Sequence, residues 1–235
     1  APILERSCET CHRPNSLATM SLITYEEVRP WARSIKQRTG LRNRMGVMPP
    51  WYIEKDIGIQ QFKDDWSLSD AEISAIAAWA DAGAPRGNPA DMPEPPAFID
   101  VDEWEIGQPD LIVSSPPVDV KGDAPDWWGM MGQANSGLTE DRYVAAIEYK
   151  ERNDREPGAR SDTVGGLFVI HHAALTSIAP EGGPRDAFTW PVHEVGRNAD
   201  VFDEAAGVML RAGSTLIFPS THLHANGTDT TARLE

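Results

Sequence analysis

Hydrophobic positions change their period once along this chain. Over residues 1–87 they recur with helical spacing. Val28, Trp31, Ala32 and Ile35 stand at i, i+3, i+4 and i+7, which predicts an amphipathic helix over 25–38 ending near Gly40. Thr24 and Glu27 are spaced as a capping box at its start. Ile73, Ile76, Ala77 and Ala80 predict another helix, running from Leu68 to Gly83. Ser69 and Glu72 repeat the capping box, Gly83 suits the C′ position, and Pro85 lies just beyond. Ile3, Leu4 and Ser7 predict a short helix leading into Cys8. Between the longer helices, Met45-Gly-Val-Met48-Pro49-Pro50-Trp51 must be an extended loop, because consecutive prolines forbid helix.

From Asn88 to Ala97 the chain reads NPADMPEPPA, a stiff proline-rich stretch. A linker over 88–100 is therefore the expected domain boundary. Beyond it the apolar runs are short and β-rich: Leu111–Val113, Tyr143–Tyr149, Gly166–Ile170 and Ser214–Phe218, each bounded by Gly, Pro, Asn or Asp. The expected fold is multidomain: an all-α domain over 1–87, then an all-β antiparallel sandwich over 101–235. No internal repeat is evident.

The 235 residues are 40% hydrophobic, enough to bury a core in each part. The formal net charge of −15, from 36 acids and 21 bases, argues against nucleic acid and anionic membrane surfaces as partners. No apolar run approaches the roughly 18 residues that span a bilayer. Ala1 opens without a charged-then-apolar leader, so any secretion signal is expected to have been removed or to lie outside this sequence. Both ends are abrupt, and the chain reads as part of something longer.

Cys8-Glu9-Thr10-Cys11-His12 uses both cysteines of the chain. A thioredoxin-like dithiol requires a βαβ setting, which the pattern lacks. A zinc site requires four ligands, and residues 1–90 offer no second cysteine pair. Covalent haem c explains all three residues: two thiols for the two vinyl groups and an imidazole for the iron. The candidates for the sixth ligand are then Met20, Met45 and Met48, with Met48 favoured because Pro49-Pro50 would hold it rigidly, and an open sixth position is the alternative. Trp31, Trp51 and Trp79 are expected to pack around the porphyrin. Early CxxCH, a methionine loop and a closing helix together resemble a small class I cytochrome c domain.

The other five histidines are His171, His172, His193, His222 and His224. His171-His172 follows one apolar run and His222-Leu-His224 follows another. Residues i and i+2 of an extended segment face the same way, so His222 and His224 can share a site. Clustered imidazoles without cysteine suit copper or zinc. His193 stands apart from these doublets.

The run Val-Ile-His171-His172-Ala resembles the His-His pair of the copper type II, ascorbate-dependent monooxygenases. Thr221-His222-Leu-His224-Ala-Asn226-Gly227 is similar to the later turn that supplies the third histidine of the same copper. The resemblance implies His171, His172 and His222 as ligands and leaves His224 at a non-ligand position. A rival match makes His222 and His224 the pair of the family's second copper, without its methionine. Met48-Pro-Pro-Trp51, Trp79–Gly87 and Gly107–Asp110 look like the joints of bacterial fusions between a cytochrome c domain and a copper sandwich. The chain lacks the disulfides of the animal enzymes, so Trp104, Trp127, Trp128 and Trp190 are expected to anchor cores or interfaces. The resemblance implies haem c and copper as cofactors, a redox partner protein or larger complex, and an extracytoplasmic location. Its second copper domain would lie beyond Glu235. A pure electron carrier with no metal in the β part is the alternative.

Overall fold

The computed structural model describes residues 1–50, 57–59, 62, 65–94, 96–156 and 166–235. The chain divides into two compact units, one of residues 1–14 and 20–98, the other of 15–19 and 99–235.

The expected fold class is corrected. Among the described residues, β-structure predominates over helix, with strands in five antiparallel sheets and helices few and short. The first unit is not an all-α cytochrome c domain. Its described α-helices are Pro2–Ser7, Tyr25–Val28, Ala32–Thr39 and Asp70–Asp81. Residues 8–24, 40–50 and 65–69 between them are turns, bends and loop. The physical reason is the distribution of breakers. Pro30 cannot donate within a helix, and the expected 25–38 helix passes through a 3-10 turn at Arg29–Trp31. Gly46, Pro49 and Pro50 then prevent helix before residue 51.

Both capping boxes form. Thr24 accepts from the Glu27 amide and Ser69 from the Glu72 amide, while each glutamate returns the bond to its cap residue. Gly83, at φ +85°, ends the last helix in the left-handed region that glycine enters freely. Leu22, Val28, Ile35, Leu68, Ile73 and Ile76 form the core of this unit. Burying each such side chain is worth about 1.5–3 kcal/mol. Arg6 and Glu72 pair at 2.7 Å across it. Trp79 packs on the core, Trp31 is exposed, and Trp51 lies outside the described residues.

The second unit has five small sheets where two sheets of a sandwich were expected. Leu111–Val113 forms no strand, and the Tyr143–Tyr149 run is split into Arg142–Val144 and Ala146–Glu148. Two four-stranded sheets share one strand order. The first runs His193–Glu194, Ile170–Ala173, Thr221–Leu223, Trp127–Gly129. The second runs Phe188–Thr189, Thr176–Ile178, Thr215–Phe218, Gly132–Asn135. Each strand of one continues into its counterpart after a short break, such as Pro219-Ser220. Phe218 opposite Gly132 and Thr221 opposite Gly129 keep one register through the break. The pair is one creased sheet, with proline and bulky apolar residues at the crease. Val169, Ile170, Trp190, Phe218, Leu223 and Leu234 fill the core on its inner side. No described helix is long and apolar enough to cross a membrane.

A histidine face on the creased sheet

Strand pairing builds a row across the first sheet. His222 lies opposite Trp128 on one side and His172 on the other, and His172 lies opposite Glu194. Directly opposed residues share a face. In the next row Thr221 and Ala173 are fully buried and His193 is 2% exposed, so that face is the core. The histidine row therefore looks outward.

Consecutive residues on a regular strand point to opposite faces, so His171 and His172 should be separated by the sheet. They are not, because the ladder slips by one residue. His222 pairs with His172, but Leu223 pairs with Ile170. His171 is the extra residue of this β-bulge, a device that re-aims side chains. Its ring stacks on His224 at 4.7 Å and meets His222 edge-on at 5.5 Å. All four doublet histidines thus gather on one face, drawn from strands 50 residues apart.

Two contacts define the geometry. His172 Nδ1 and His222 Nδ1 stand 3.2 Å apart. Facing lone pairs at that distance repel, so a proton or a cation must lie between them. With metal–nitrogen bonds of about 2.0–2.1 Å, two imidazoles on one ion have nitrogens roughly 3 Å apart. The pair therefore matches two ligands of a single ion. The second contact comes from Asp126, just before the Trp127–Gly129 strand. Its carboxylate accepts from His224 Nδ1 at 2.7 Å and lies 3.2 Å from His222 Nε2. These bonds, that of His224 first, hold the Asp126 carboxyl below its ordinary range. Nothing in the spacing of the sequence marked Asp126, because the contact spans 96 residues.

Trp128, 60% exposed, lies parallel over His222 at 4.2 Å. Trp127 is also exposed, so neither anchors the core, whereas Trp190 is buried in it. Trp104 is half-buried, with the Arg152 guanidinium over its ring. Beneath the histidine face, His193 donates from Nε2 to the Ile170 carbonyl at 3.0 Å. Burial pushes its pKa down to about 4, which keeps it neutral. Glu151 supports the same strand from below. Its buried carboxylate accepts from the amides of Val169 and Ile170 at 2.7–3.0 Å and from Asn153.

Among the described residues, no group of three or more His, Cys, Asp or Glu side chains stands ready to hold a metal ion. The reason lies in the rings. Asp126 takes one nitrogen each of His222 and His224, so the two Nδ1 atoms of His172 and His222 are the donor pair that faces inward on itself. The His171 ring lies 5.5 Å from that of His222 and 6.4 Å from that of His172, centroid to centroid.

In the first unit, Cys8 and Cys11 are free thiols on one turn, with the His12 amide donating to the Cys8 carbonyl at 2.9 Å. His12 Nδ1 lies 3.2 Å from the Met20 carbonyl, which fixes the proton on Nδ1 and leaves the lone pair on Nε2. Burial, with Glu9 beside it, pushes the Cys8 thiol up to about 12, and burial also raises Cys11. A dithiol exchange catalyst needs the opposite, a stabilised thiolate. Cys8 packs on the apolar core that contains Leu68 and Ile73, and Met48 lines a shallow cavity with those same two residues. Met45 is 99% exposed and Met48 is 42% exposed. Met20 packs on the core, and its carbonyl is engaged by His12.

No family model, no curated protein and no solved structure matches this chain.

Proposed function

We propose that the chain is a redox metalloprotein with two centres. Cys8 and Cys11 would carry a covalent haem c with His12 as its axial ligand and Met48 as the sixth. His171, His172 and His222 would hold copper, with His224 beside them. The observation that carries the copper reading is the 3.2 Å separation of His172 and His222 Nδ1. The haem reading rests on the orientation of His12 by the Met20 carbonyl and on the raised thiols, which disfavour dithiol exchange. A Met/His-ligated haem supplies one-electron transfer at a raised potential, and copper held by imidazole supplies oxygen chemistry.

The likeness of the His171-His172 and His222 segments to copper type II monooxygenases gives the direction: a redox partner protein reduces the haem, and the haem serves the copper. The location is extracytoplasmic, where c-type haem is attached. Covalent attachment needs only the Cys8–His12 turn and does not require a cytochrome c fold around it.

One observation favours the alternative, an electron carrier with no metal in the β unit: no described group stands ready for an ion. Intact mass and elemental analysis of the full chain, matured in a host that attaches haem c, separate the two. Mass increased by one haem, with one iron and one copper per chain, is the expected result. Iron without copper supports the carrier, and unmodified mass removes the haem reading.

A further inference from the structure

We infer that Asp126 is a positioning residue for the metal centre, selecting the nitrogens by which the histidines bind. The inference rests on the copper reading above. A ring nitrogen that donates to a carboxylate keeps its proton and cannot bind a metal, so the partner of one nitrogen assigns the role of the other.

The Asp126 carboxylate faces Nε2 of His222 at 3.2 Å. His222 therefore keeps its proton on Nε2 and presents Nδ1 as a lone pair, toward His172 Nδ1. The other carboxylate oxygen accepts a hydrogen bond from His224 Nδ1 at 2.7 Å, so that nitrogen keeps its proton. His224 is thereby left with its lone pair on Nε2, the opposite of His222. One carboxylate thus gives His222, on the Thr221–Leu223 strand, and His224, just beyond it, opposite tautomers. It makes His222 a ligand through Nδ1 and sets His224 apart from it. Trp128, parallel to the His222 ring at 4.2 Å, blocks rotation toward the other tautomer's geometry. The side chain of Asp126 is more than half exposed, so its role in folding is small.

Copper(II) titration of the full chain tests this, comparing wild type with Asp126→Asn and Asp126→Glu. The asparagine variant is expected to bind copper about 10- to 100-fold more weakly. The glutamate variant, which keeps the acceptor, is expected to recover part of the loss. Thermal unfolding of both should match wild type. A second readout needs no metal: ¹⁵N chemical shifts of His222 should show the proton on Nε2 in wild type and a mixed population in Asp126→Asn. Equal copper affinity in wild type and Asp126→Asn overturns the inference while leaving the copper reading intact. So does a His222 proton found on Nδ1 in the wild type. Absence of copper binding by the wild type overturns the copper reading itself.

Discussion

Cys8, Cys11 and His12 lie within five residues and share one backbone turn, whereas His172, His222 and Asp126 are separated by 50 and 96 residues and meet only because three strands pair. The first constellation needs local structure alone. The second needs a strand register, a bulge and a loop residue all in place. A one-residue slip would send every side chain of a strand to the other face. The histidine face should therefore be the more fragile of the two, and what holds it should be the sheet beneath.

Glu151→Ala should break that comparison most sharply. It would leave the buried amides of Val169 and Ile170 without their acceptor, at an expected cost of about 4 kcal/mol. Urea unfolding followed through the tryptophans measures it. Haem attachment at Cys8 and Cys11 should survive, while copper binding should be lost. Equal loss at both sites would remove the distinction.

Acid offers a slightly smaller effect on the same face. The folded pKa of His193, about 4, lies below its ordinary 6.5. Its contribution is complete above about pH 6.5 and is lost as pH falls toward 4. Over that window stability should drop by about 3 kcal/mol. His193→Asn should flatten this slope in the metal-free protein. A slope unchanged in the variant would show that another group carries it.

The smallest effect sharpens the other side. Ser69→Ala removes a cap from the Asp70–Asp81 helix and should cost about 1 kcal/mol in denaturant unfolding. Copper affinity should not change, because no histidine of the face depends on that helix.

The same contrast sets what the sequence revealed. Capping boxes and the Gly83 stop were legible because each is written within a few residues. So was the pairing of His222 with His224 on one face. The continuity of the 25–38 helix was not, because Pro30 turns Arg29–Trp31 into a 3-10 segment against the periodicity around it. Two sheets sharing one strand order could not be read either, since the crease at Pro219-Ser220 looks like an ordinary strand end. His171 was rightly grouped with its neighbour, but the bulge that permits it is a property of register. Asp126 carried no signal, because a carboxylate before two tryptophans is unremarkable until the sheet brings His222 and His224 to it.

The central claim is that histidines from two distant strands hold one ion. Copper bound per chain after equilibrium dialysis tests it most directly, in the wild type and in His172→Ala and His222→Ala. The account predicts one copper in the wild type and none in either variant, with haem iron unchanged in all three. Copper retained when either histidine of the 3.2 Å pair is removed, or never bound by the wild type, would contradict it.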